Sequence, residues 1–118
     1  MTVTETVPSE CQGVDLESAL EGLPNGIGDL FFTAGEQRLL ELNRAMAQGD
    51  AEAVMDAAHS LASLTGLLHI RALADYAQAI YAAAQRGQLD QARHAHQRLE
   101  AVLGWVLERV RTPGRARA

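Results

Sequence analysis

Apolar residues in this chain keep falling at alternating intervals of three and four. Val54, Ala57, Leu61, Leu64 and Leu68 are spaced 3, 4, 3 and 4, the repeat that aligns side chains along one face of an α-helix. Leu73, Ala77, Ile80 and Ala84 follow the same kind of spacing, as do Leu89, Ala92, His96, Leu99, Leu103, Val106 and Val110. Upstream, Leu30, Phe31, Phe32, Leu39, Leu42 and Met46 keep helical spacing, although Gly35 weakens their middle by roughly 1 kcal/mol relative to alanine. No segment alternates apolar and polar residues in the manner of a half-buried strand. Aromatics are only 4% of the 118 residues, while 21 are alanine. Alanine is the best helix former and weak in strands, so closely packed helices are favoured over a β-sandwich or barrel.

Turn residues separate these patterns. Asp15 can cap a short helix running to Gly22, and Leu23-Pro24-Asn25-Gly26 then breaks the chain. At Gly49-Asp50 a glycine suited to the left-handed position after a helix meets an aspartate suited to capping the next one. Gly87 ends the fourth segment. Helices are therefore expected over about 51–68, 71–86 and 89–110, besides the one built around 30–46. Four long amphipathic helices joined by short turns prefer antiparallel neighbours. The expected fold is all-α, an up-and-down antiparallel four-helix bundle with a short extra N-terminal helix. It would occupy residues 14–111, after a polar, disordered lead-in at 1–13 and before a flexible basic tail at 112–118.

Charge and composition exclude several functions. The formal net charge is -5, and all ten basic residues are arginine, which rules out a lysine-dependent mechanism. An acidic chain with scattered arginines has no electrostatic footprint for nucleic acid. Arg109, Arg111, Arg115 and Arg117 cluster near the C-terminus and read as a frayed helix end and a solvated tail. Cys11 is alone, so neither an intrachain disulfide nor a cysteine zinc site can form. No run approaches the roughly 18–20 apolar residues of a membrane span, and residues 1–13 lack the basic start and apolar run of a signal peptide. A cytoplasmic protein with no nucleic-acid or membrane partner is expected.

The four histidines are the plausible reactive groups. At 100° per residue, His59 lies about 140–180° from the stripe through Val54, Ala57, Leu61, Leu64 and Leu68, so it should face away from the core. Glu52, Met55, Asp56, Ala62, Ser63, Gly66 and Ile70 share its side, and Ala62, Ser63 and Gly66 are small. A glycine within a helix usually marks close approach by something else. Ala95-His96 repeats Ala58-His59 but lies within about 60° of Leu89, Ala92, Leu99 and Leu103, as a packing residue would. His94 should be exposed and able to pair with Asp90, and His69 sits at a turn. His94 and His96 face about 200° apart and cannot chelate one metal ion from a single helix; no metal site is expected.

From residue 15 to residue 103 the sequence resembles a histidine-containing phosphotransfer (HPt) domain. The resemblance is carried by Asp15-Leu16-Glu17-Ser18-Ala19-Leu20 followed by Pro24-Asn25-Gly26, by Ala47-Gln48-Gly49-Asp50, by Ala58-His59-Ser60-Leu61, by Leu68 and Leu73, and by Ala84-Gln85-Arg86-Gly87-Gln88-Leu89. It implies a four-helix bundle in which His59 takes a phosphoryl group from a receiver-domain aspartate and passes it to another. The receivers would be those of a hybrid sensor kinase and of a response regulator. Met55, Asp56, Ala62, Ser63 and Gly66 would form the docking surface, and a monomer suffices. After its histidine the family commonly has His-x-Leu-Lys-Gly and a later glycine. Here the lysine position is Ala62, the first glycine is Ser63 and the later one is His69.

Little else is required of such a carrier. A neutral imidazole keeps one lone pair free near neutral pH, and phosphoryl transfer needs mainly in-line positioning and charge neutralisation. The resemblance implies no cofactor in this chain, with Mg²⁺ expected in the partner receiver. There is no Walker loop, glycine-rich nucleotide fingerprint or second catalytic constellation, so the expectation is a phosphoryl carrier, not a stand-alone enzyme. Two alternatives stay open. One is a pseudo-HPt domain that docks a receiver or kinase without accepting phosphate, favoured by the missing lysine. The other is a helical adaptor, suggested by a tetratricopeptide-like flavour around Gly87–Leu99, although the apparent period of 37 and the lack of three clear repeats count against it.

Overall fold

The computed structural model describes residues 7–22 and 26–111. Helix α1 spans Leu16–Glu21, α2 Ile27–Gln48, α3 Ala51–Gly66, α4 Arg71–Gln85 and α5 Arg93–Arg111. There is no strand among the described residues. The four long helices form a ring of neighbours, with α2 against α3, α3 against α4, α4 against α5, and α5 back against α2. This is the expected all-helical bundle with a short helix added at its N-terminal side. No described helix is long and apolar enough to cross a membrane.

Local chemistry sets the boundaries. Asp15 accepts a hydrogen bond from the Ser18 amide at 3.1 Å, and Asp50 accepts one from the Ala53 amide at 3.1 Å. Each satisfies a first-turn donor that the helix itself cannot. Gly49 closes α2 with φ +69°, a left-handed conformation that costs glycine nothing. Helix α3 ends at Gly66, slightly before the expected limit, because Leu67, Leu68 and His69 each donate to the carbonyl three residues back at 3.2 Å. That tightened turn still buries Leu68 completely. The α5 segment likewise enters through a 3₁₀ turn at Leu89–Ala92, a common start for an α-helix. Of the break expected at 23–26, only Gly26 falls within the described residues; the tail at 112–118 lies outside them.

The core is built from the expected stripes, with a small rotation on α3. Val54, Ala57, Leu61 and Leu68 are buried, together with Ala58 and Thr65, whereas Leu64 is only partly covered. Thr65 satisfies its hydroxyl by donating to the Leu61 carbonyl at 2.7 Å. All four stripe residues of α4 are buried, as are Leu99, Leu103, Val106 and Val110 of α5. Gly35 has a packing reason: a Cβ there would come within 2.9 Å of Leu107 Cδ2, so its absence lets α5 close onto α2. Leu30 departs from expectation. It is 64% exposed while Phe31 beside it is buried, because neighbouring helical positions point about 100° apart and only one can face the core.

Of the lead-in, residues 7–13 are described. Ser9–Cys11 forms a 3₁₀ turn that buries Cys11. Arg98 of α5 donates to both carboxylate oxygens of Glu10, at 2.9 and 2.7 Å. The Tyr76 hydroxyl of α4 donates to the same carboxylate at 2.7 Å. One acidic side chain thereby fastens the segment across two helices.

Candidate functional site

His59 lies near the middle of α3 and is exposed, on the side away from Val54, Ala57 and Leu61. Asp56, Ser63 and Gly66 beside it are exposed, and Met55 and Ala62 are half-buried. The expected docking residues therefore form one continuous face around the imidazole, as positions three, four and seven apart on a helix must. Nothing in the chain would meet a Cβ at Gly66 within 4 Å, so internal packing does not demand this glycine and the approach to the histidine is open. Ile70 does not belong to the face. It is buried as the residue preceding α4, because the chain turns away after Gly66 and the helical phase no longer applies.

Two features of the site come from neighbouring helices. Tyr81 of α4 packs against His59, with ring centroids 6.1 Å apart and planes tilted by 50°. Glu41 and Arg44 of α2 and Asp56 of α3 line a groove of about 260 Å³ between those helices, so charged residues of both signs stand beside the face that Asp56 shares with the histidine. Neither contact is visible in a single-helix pattern. A tyrosine one turn from the end of an amphipathic helix was the available signal for the first.

The other histidines occupy different environments. His96 is half-buried, its Nε2 lying 2.7 Å from Asn43 Oδ1, and the Asn43 amide nitrogen donates to Glu100 at 2.9 Å. With the asparagine so oriented, His96 Nε2 acts as the donor. Burial pushes the His96 imidazole below its ordinary value of 6.5, with the Glu100 charge opposing. His94 is exposed, but Asp90 pairs with Arg93 at 2.8 Å instead, since the guanidinium carries a permanent charge at the nearer i,i+3 position. His69 sits in the α3–α4 turn with φ +59°. Among the described residues no group of three or more His, Cys, Asp and Glu side chains could hold a metal ion.

The bundle thus presents an exposed imidazole from mid-helix with small side chains beside it and open space over Gly66. Residues 27–111, which take in all four long helices and His59, match the family model of the Hpt domain. The chain belongs to the Hpt domain family. Members act in histidine phosphotransfer within two-component signalling, as phosphocarrier modules that interact with receiver domains of response regulators. The match begins at α2 and leaves α1 outside it. No curated protein and no solved structure matches the sequence.

Proposed function

We propose that His59 is the phosphoryl acceptor, relaying the group between aspartates of two receiver domains in a multistep phosphorelay. One receiver would belong to a hybrid sensor kinase and the other to a response regulator. The observation that carries this reading is an imidazole exposed in the middle of α3 inside the matched span, with open space over Gly66. A ring nitrogen attacks the phosphorus of the receiver's acyl phosphate. The P–N bond forms, the P–O bond to the aspartate breaks, and the carboxylate leaves. Met55, Asp56, Ala62, Ser63 and Gly66 supply the surface on which the receiver seats, and Mg²⁺ comes with the receiver. A monomer suffices for the relay.

The test is incubation of the chain with a phosphorylated receiver. Wild type should acquire a label that is stable in base and labile in acid, as a phosphoramidate is. His59→Gln should take none, and His96→Gln should label normally. A label on His59→Gln would reassign the acceptor. The second reading, a domain that docks a receiver without accepting phosphate, is favoured by Ala62, which puts a methyl group where the family commonly has a lysine. Tight binding of the receiver with wild-type His59 left unmodified would establish that reading.

A further inference from the structure

Among the described residues no hydrogen bond reaches either ring nitrogen of His59. Its ring instead packs against Tyr81, a contact that can favour one imidazole orientation over another. The 6.1 Å separation and 50° tilt fall within the range at which aromatic rings attract in tilted arrangements. Tyr81 is half-buried in α4, and α4 is packed against α3, so the bundle holds the tyrosine ring while the histidine stands on an exposed face. On α3 itself, Ala62 and Ser63 on the C-terminal side are too short to clasp the imidazole, and the flexible Met55 chain one turn back offers no rigid ring to set its plane.

In-line transfer makes orientation matter. In a helix one of the three χ1 wells is disfavoured, and χ2 of a histidine is roughly two-fold. About one conformer in four then aims a given nitrogen at an incoming phosphorus. We propose that Tyr81 is the positioning residue for His59, its ring selecting the imidazole orientation that presents the nucleophilic nitrogen to the phosphoryl donor. The proposal rests on His59 being the acceptor. It assigns the work to the ring of Tyr81 and none to its hydroxyl, which has no hydrogen-bond partner among the described residues.

The experiment compares wild type, Tyr81→Phe, Tyr81→Leu, Tyr81→Ala and His59→Gln as full chains. Two quantities are read: the three-bond couplings that report the His59 χ1 populations, and the initial rate of labelling by a phosphorylated receiver, whose docked phosphoryl group has a fixed line of approach. In that reaction the P–O bond to the receiver's aspartate breaks as the bond from phosphorus to the His59 nitrogen forms. The carboxylate leaves, and the other ring nitrogen gives its proton to solvent. Wild type and Tyr81→Phe should share one dominant rotamer and one rate. Tyr81→Leu, which keeps apolar bulk in α4, and Tyr81→Ala should average their couplings and label roughly fourfold more slowly. Unchanged couplings or wild-type rates in the Leu variant overturn the proposal, and so does a Phe variant as slow as Leu, which would move the work to the hydroxyl. An unlabelled wild type, or a labelled His59→Gln, overturns the acceptor assignment instead and takes this proposal with it.

Discussion

His59 and Leu61 stand two residues apart on α3 and face about 160° apart; one is exposed and the other fully buried. The same stretch of helix thus carries the candidate site on one side and the core on the other, with half-buried Met55 and Ala62 at the border between them. Leu61→Ala should lower stability by roughly 2–5 kcal/mol, the cost of a large-to-small change in a packed core. His59→Gln should change it by no more than about 1 kcal/mol, an exposed substitution that gives up one tilted ring contact. Chemical denaturation of the two variants checks this directly, and equal losses would mean that the imidazole is a packing residue. Gly66 shows the other half of the division, since the space over it is open. Gly66→Trp adds a bulky group where the chain itself has nothing within 4 Å. The fold should accept it, while affinity for a receiver that labels His59 should be lost by steric overlap. Near-wild-type affinity in a titration, with helicity intact, would remove this face as the interface.

Between elements, the turn from α3 to α4 carries an unusual strain. His69 holds φ +59°, where a side chain crowds the backbone at a cost of about 1–2 kcal/mol, and this is the position at which the resemblance expected a glycine. His69→Gly should relieve that cost, less the roughly 0.4–1 kcal/mol that glycine's unfolded-state freedom returns. A net gain of about 0.5 kcal/mol is expected in thermal or denaturant unfolding, and a clear loss would show that the imidazole makes a compensating contact. How legible each element was follows from the range of the interactions that fix it. The phases of α3 and α4 were readable because one helix's stripe is a local property, and Asp50 and Asp15 were readable because a cap reaches only to the third residue. Leu30 and Ile70 sit at helix ends, where the phase starts or stops. Tyr81 could not be matched to His59 before the crossing of α3 and α4 was known. Glu10 was hidden for the same reason, its partners Tyr76 and Arg98 being 66 and 88 residues away.

For the whole molecule, the Glu10 contact ties the chain's beginning to two of the four bundle helices, so folding and protonation become linked there. The hydrogen bonds from Arg98, foremost, and from Tyr76 outweigh burial and bring the Glu10 carboxyl down from 4.5 to about 2. A carboxyl lowered by folding contributes its full stabilisation above its unfolded value of 4.5 and loses it as pH falls from there to about 2. His96 is depressed as well, by burial, so folding favours its neutral form. Its contribution is complete above 6.5 and declines as pH drops below that value. Unfolding free energy followed from pH 8 downward should therefore fall in two stages, a first below about 6.5 and a second below about 4.5. His96→Gln should flatten the first stage only. Glu10→Gln should cost about 1.5–3 kcal/mol at neutral pH, nearer the lower figure because the Arg98 side chain is 37% exposed. It should also reduce the second stage without abolishing it, since Asp15 is lowered too by its bonds with Ser18, and Glu41 by its bond with Arg38. Because Tyr76 lies on the same helix as Tyr81 but about 140° around it, Glu10→Gln should leave His59 labelling at its wild-type rate at pH 7. A mutant with the wild-type acid slope would mean that the N-terminal segment is not fastened to α4 and α5 in solution.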